Sequence, residues 1–294
     1  MMTEKASAEV RLDFQADFRI ITEQALVRMG VGLDPADAEN AVYLLFANAR
    51  RRIEARPYRV DEANGLVCPA HLAAGYAALK SELERGIDVT VRLSRTTKDA
   101  PHEDMMFNDW GVQHFHLGIR DLQGNVPRTN PILFAVVRDD VAHCIGFFKH
   151  GAWAEIEVLE SLQRNWPYLM EHARYKGSMA SQNYSDEERS RLRKLGGNVS
   201  NTINGVVYGA VGGGYTAAKT SMAAHWEADR AIIAVSDYEK HVRENVAAYV
   251  KQIEDLGRIA GTPPRFRFWV NEDGNACAME LTAEVNFILG PFRR

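Results

Sequence analysis

The stretch ILFAVVRDDVAHCIGFF, residues 132–148, constrains the fold more than any other part of the chain. Two runs rich in valine, isoleucine and phenylalanine flank Asp139 and Asp140. Such side chains suit a pleated, buried surface, and polar residues between them mark a turn. The reading is an antiparallel hairpin, although Asp-Asp is a weaker turn signal than Asn-Gly. Upstream, the period around GIDVTVRLSRTT changes toward strand; downstream, Trp153, Ile156, Leu159, Leu162 and Trp166 are spaced as one face of a helix. The centre therefore reads as strands followed by a helix.

The first third is helical in pattern. Val10, Phe14, Phe18, Ile21, Ala25 and Val27 recur at mostly three- or four-residue steps over residues 9–29, and Gly30 offers a stop. A second helix begins at DPADAENAVYLLF with Asp34 as N-cap and Pro35 at its first position. Arg50, Arg51, Arg52 and Arg56 gather at its end, where cations complement the helix dipole; phosphate binding is the alternative for them. RPYRVDEANGLVCP reads as a loop or short hairpin turning at Asn64-Gly65, and a third helix spans residues 69–85. Beyond the centre, residues 180–198 are charged and polar, suggesting a boundary or exposed connection. INGVVYGAVGGGYTAAKTS then offers Gly-rich turns between short β-like runs, a long helical stretch covers 219–256, and RFRFWV and CAMELTAEVNFILG flank NEDGNA as a hairpin. The fold class is α+β. Its expected parts are a helical N-terminal region (1–88), a central antiparallel sheet region bearing the site (89–180), and C-terminal hairpins with a long helix (181–294), with one continuous domain as the alternative.

Composition narrows the function. With 46% hydrophobic and 25% charged residues the chain is an ordinary globular sequence, and its net charge of −4 argues against a dedicated DNA-coating protein. Cys68, Cys144 and Cys277 are odd in number and form no CxxC pair, which fits free thiols in a reducing compartment. No basic leader precedes an apolar run, and no stretch approaches the roughly 18 apolar residues of a membrane span, so a cytoplasmic protein without a membrane partner is expected. GGGYTAAKT approaches a phosphate-binding loop, but Ala218 stands where glycine should precede Lys219, and no cofactor is expected. Arg138 and His143 match the R-x4-H spacing of HEPN ribonucleases, but they fall on strands where that motif needs a helix.

The chemistry points to NDWGVQHFHLGIR, residues 108–120. Alternation along a strand places His114, His116, Gly118 and Arg120 on one face and Phe115, Leu117 and Ile119 on the other. Gly118 then leaves a gap that admits a ligand close to the backbone. The hairpin adds Arg138, His143, Lys149 and His150, the last just before a helix whose N-terminus favours anions. Cleaving an RNA phosphodiester without a metal needs a base, an acid and cations for the developing charge. His114 or His116 suits the base, His150 the acid, and Arg120, Arg138 or Lys149 the phosphate clamp. A metal hydrolase is the rival reading, with His114, His116, His150 and Asp109 as ligands and His143, His102 or Asp104 as further donors. Outside enzymes, the chain reads as a binding or regulatory module that self-associates through 219–256. The plain alternative for the two histidines is a half-exposed strand face, and for Trp110 and Trp153 it is core packing over base stacking.

The run HFHLG, followed by LFAVVRD and VAHCIGFFKH, resembles the sheet of RelE-type toxin ribonucleases over residues 70–155. The resemblance implies a helical pair leading into an antiparallel sheet that carries His, Arg and Lys for mRNA cleavage. It also implies an RNA substrate, an antitoxin or inhibitory partner, and a role in toxin–antitoxin systems or antiphage defence. The long segments on both sides depart from that compact family.

Overall fold

The computed structural model describes residues 10–99, 102–177 and 183–292. In chain order its helices are α1 (Phe14–Arg28), α2 (Ala41–Arg51), α3 (Ala73–Glu84), α4 (Met105–Trp110), α5 (Glu157–Asn165), α6 (Asp186–Lys194), α7 (Met222–Glu244) and α8 (Val246–Asp255). Its strands are β1 (Arg59–Glu62), β2 (Gln113–Phe115), β3 (Ile132–Arg138), β4 (Val141–Phe148), β5 (Asn201–Ile203), β6 (Val206–Tyr208), β7 (Phe266–Val270), β8 (Asn275–Glu280) and β9 (Val285–Pro291). The chain is α+β. Its described residues form two compact units, one within 47–224 and the other of residues 10–46 with 225–292. Residues 180–182 of the expected polar connection lie outside the described residues.

In the unit 47–224 a four-stranded sheet runs in the order β1-β4-β3-β2. The β3–β4 hairpin forms as expected, pairing Arg138 with Val141 and Ile132 with Phe148, and Asp139 takes the left-handed conformation (φ 52°) that aspartate tolerates in a turn. β2 pairs antiparallel with β3, whereas β1 pairs parallel with β4, which makes the sheet mixed. RPYRVDEANGLVCP is therefore not a hairpin, and Asn64-Gly65 leads the chain out of β1 instead. Leu133, Ala135 and Cys144 pack with Phe115 beneath Tyr76, Leu79 and Leu83 of α3. Ile132, Phe134 and Ile145 on the other face pack with Trp110 and with Val158, Leu159 and Leu162 of α5. Helices cover both faces, which explains why β3 has no polar side.

Two segments depart from their sequence pattern because arginines go inside. Residues 90–98 form short turns of 3₁₀ helix, not a strand. Arg92 is fully buried there, donating to Glu82 at 2.6 and 2.8 Å and to the carbonyls of His116 and Gly118 at 3.3 and 3.0 Å. The polar stretch after residue 183 contains α6, opened by a capping box between Ser185 and Glu188. Its inward face carries buried Arg189 and Arg193; Arg193 pairs with Asp109 at 2.6 Å and stacks 3.8 Å from the Trp110 ring centre. Around INGVVY a short hairpin forms between β5 and β6, turning at Asn204-Gly205.

In the other unit β7, β8 and β9 form one antiparallel sheet, so the expected hairpin gains a third strand. Phe14 and Phe18 of α1 pack on Phe268 and Phe292. The stretch expected as one helix over 219–256 is two, α7 and α8, meeting at Asn245. Among the described residues no helix is long and apolar enough to cross a membrane, and Cys68, Cys144 and Cys277 are unpaired thiols.

Candidate active site

β2 is a short edge strand, and its register decides which histidine faces where. Phe115 lies opposite Leu133 and enters the core under α3; His114 lies opposite Phe134 and falls on the other face. There Trp153 stacks on Phe134, with ring centres 5.7 Å apart. His114 and His150 each approach the indole to 4.9 Å. His116 follows the end of β2, with its ring 6.2 Å from those of His114 and His150. The hairpin brings these groups together, because the end of β4 returns beside the start of β3. Ser94, Arg128, Thr129 and Asn130 complete the lining of a recess of about 290 Å³.

The segment 128–130 reaches the recess through a fold-back. The Asp121 carboxylate accepts from the backbone N–H groups of Gln123 and Asn125 and closes a turn. The returning chain then packs on Gly118, where any side chain would run into the Pro127 carbonyl. The gap expected to admit a ligand is thus filled by Pro127. The Thr129 N–H donates to His116 Nδ1 at 3.0 Å, and Thr129 Oγ1 accepts from the Leu117 N–H at 3.0 Å. Asn130 Oδ1 accepts from the His150 N–H at 2.9 Å, and Arg128 Nη1 donates to the Leu93 carbonyl at 2.7 Å.

Burial, followed by the charges of Arg128 and His114, pushes the His116 imidazole down to about 4. It is neutral at pH 7. Its Nδ1 lone pair is engaged by a backbone amide, so the ring proton sits on Nε2. Burial also lowers His114; Asp104 opposes this, and His150, Arg128 and His102 reinforce it. His114 is therefore a neutral imidazole at pH 7.

The other expected residues are elsewhere. Arg120 donates to Glu82 at 3.3 and 3.1 Å and to the Asp88 carbonyl at 3.1 Å, forming with Arg92 a two-arginine clamp on one carboxylate. Burial raises Glu82, but the hydrogen bonds and charges of Arg92 and Arg120 outweigh it and leave the carboxyl below its ordinary value. Arg138 lies beside Asp139 at the far end of β3, four residues or about 13 Å along the strand from Phe134, the residue opposite His114, at ~3.3 Å per residue. Lys149 lines a separate cleft of about 550 Å³ with Asn64, Glu155, Glu157 and Arg164. His150 is not at a helix N-terminus, since α5 starts only at Glu157. His143 is buried against Trp166, with Nδ1 3.8 Å from Asp61. Arg51 and Arg52 donate to the carbonyls of Thr96, Asp99 and Thr97, tying the end of α2 to the turn beside Ser94. Trp110 is core.

The metal alternative does not fit these positions. Among the described residues no group of three or more His, Cys, Asp and Glu side chains is arranged to hold a metal ion. Asp109 is buried and paired with Arg193, away from the recess. A neutral His116 points a proton, not a lone pair, from Nε2.

Sequence reasoning missed Arg128, Thr129 and Asn130. The signal available was local: Asp121, Gly124 and Asn125 as a turn, after a glycine that permits close backbone approach. No family model, curated protein or solved structure matches the chain.

Proposed function

We propose that the histidine recess is the active site of a metal-independent ribonuclease. The observation that carries this reading is the convergence of three imidazoles and one guanidinium on a single recess. His114 takes the proton of the ribose 2′-hydroxyl, the O2′–P bond forms, and the P–O5′ bond breaks as His150, the general acid, gives a proton to the leaving oxygen. The products are a 2′,3′-cyclic phosphate and a 5′-hydroxyl. His116, with its acceptor nitrogen engaged, is a hydrogen-bond donor to the charged oxygens and not the base. Arg128 takes the clamp role first expected of Arg120, Arg138 or Lys149.

The RelE-like resemblance adds a cellular role to the same proposal: a cytoplasmic effector of toxin–antitoxin or antiphage defence, silenced by a partner protein. Growth arrest on expression, relieved by His114→Ala, tests that role. Self-association through α7 is a separate reading, favoured by Trp226 and Ile233, which lie two turns apart and are each 59% exposed. Light scattering of the wild type against Trp226→Glu measures it.

Incubation of the purified protein with a mixed RNA pool, with and without EDTA, tests the activity. Cleavage survives chelation and disappears in folded His114→Ala and His150→Ala variants. Loss of cleavage on chelation, or full activity in both variants, refutes the proposal.

A further inference from the structure

We infer that Arg128 and His116 form a preformed seat for the oxygens of a phosphate ester, with Thr129 and Asn130 as its positioning residues. The inference deepens the ribonuclease reading and rests on it only for the ester that is cut. The seat itself takes any phosphate mono- or diester anion.

The argument begins with the amide of Thr129. A backbone N–H cannot change from donor to acceptor, so its bond to His116 Nδ1 fixes the neutral ring in the Nε2–H form. An imidazole held this way has no free lone pair for proton abstraction. What it offers is a directed neutral donor, the kind of group that stabilises oxyanions when it is oriented in advance. Arg128 lines the same recess, and its charge is felt by both His114 and His116. A guanidinium presents donors in a planar fork that matches phosphate oxygens.

Orientation comes from the segment itself. Thr129 is tied twice, by its N–H to His116 and by its hydroxyl to the Leu117 N–H. Asn130 holds the backbone of His150. Three consecutive residues thus supply the cation, the tautomer lock and the anchor of the proposed acid, on a loop pressed against Gly118. Catalytic groups need this kind of supporting shell to stay within about half an ångström of a productive geometry.

An anion in the seat also acts on His114. The titratable and charged groups facing that ring are Asp104, His150, Arg128 and His102, and the neutral His116 lies beside it. Bound phosphate offsets Arg128, so the proton affinity of His114 rises when the seat is filled.

Long-range 1H–15N NMR of the full chain labelled at histidine, titrated with inorganic phosphate and separately with a 2′-deoxy dinucleotide, tests the inference. Before ligand, His116 shows the Nε2–H pattern at pH 7. Both ligands move its Nε2 resonance saturably and raise the titration midpoint of His114. Arg128→Ala, checked for folding by circular dichroism, binds at least about tenfold more weakly, whereas Arg138→Ala binds as the wild type does. A His116 ring in the Nδ1–H form, or equal phosphate binding by Arg128→Ala, overturns the seat. Saturable phosphate binding by a protein that cuts no RNA supports the seat and removes the ribonuclease reading. RNA cleavage without any phosphate effect at His116 does the reverse.

Discussion

The two arms of the loop between β2 and β3 each carry an arginine, and only one of them reaches the histidines. On the outgoing arm, Arg120 is bound to Glu82 beside Arg92. On the returning arm, Arg128 lines the recess. Alternation assigns Arg120 to the histidine face because it extends the strand to residue 120, but β2 ends at Phe115. Beyond that point the chain is held by single bonds from Arg92, Thr129 and Asn125, and period-two logic no longer applies. The comparison separates a structural arm, tied to Glu82, from an arm that lines the candidate site.

Replacing groups on either side of this division separates the two roles. His114→Ala lowers kcat/KM on RNA by roughly 10²–10⁴-fold and Arg128→Ala by about 10²–10³-fold, each with unfolding stability within about 0.5–1 kcal/mol of the wild type. Steady-state kinetics with parallel urea unfolding measures both. An equal loss of activity in Arg120→Ala breaks the comparison.

At the carboxylate that holds the structural arm, the largest effect falls on stability. Arg92→Ala leaves Glu82 as a poorly compensated buried carboxylate and costs about 3–5 kcal/mol in denaturant unfolding. Arg120→Ala, which removes the more exposed partner, costs less.

The pH dependence sharpens the account of His116. Its folded value of about 4 lies below the ordinary 6.5, so between these values the unfolded chain binds the proton first. Its contribution is complete above pH 6.5 and is lost as the pH falls toward 4, up to about 3 kcal/mol at 1.36 kcal/mol per unit. His114 acts in the same direction. Thermal melts from pH 8 to 4 show this slope, and His116→Gln, which retains an acceptor for Thr129 and a donor for the recess, flattens it. A slope unchanged in His116→Gln contradicts the burial argument.

The smallest expected effect concerns the fold-back. Gly118→Ala places a methyl against Pro127 and costs about 1–3 kcal/mol, with a fall in activity because the segment 128–130 moves. Activity unaffected by that substitution shows that the returning arm does not position the site.

Several elements were legible because their signals are local. The β3–β4 hairpin follows from two apolar runs around a turn, and α5 from the spacing of Leu159 and Leu162. His114, His116 and His150 come together because the hairpin returns the end of β4 to the start of β3, the strand whose other edge β2 pairs. The parallel pairing of β1 with β4 was not legible, since Arg59 meets Val141 across a long separation that no local pattern encodes. Residues 90–98 and α6 depart from their sequence pattern for one reason: Arg92, Arg189 and Arg193 are buried through ion pairs and carbonyls, and hydrophobic periodicity does not register a buried guanidinium. Arg128, Thr129 and Asn130 escaped because their position depends on a close approach at Gly118, a contact between backbones and not a pattern of side chains.

The most direct test of the site uses a DNA oligonucleotide carrying one ribonucleotide, incubated with the protein in EDTA. The mechanism predicts one cut, immediately 3′ of the ribose, leaving a 2′,3′-cyclic phosphate and a 5′-hydroxyl, with no cut when that ribose is 2′-O-methylated. Cleavage of the methylated strand, or a requirement for a divalent ion, contradicts acid–base catalysis by His114 and His150.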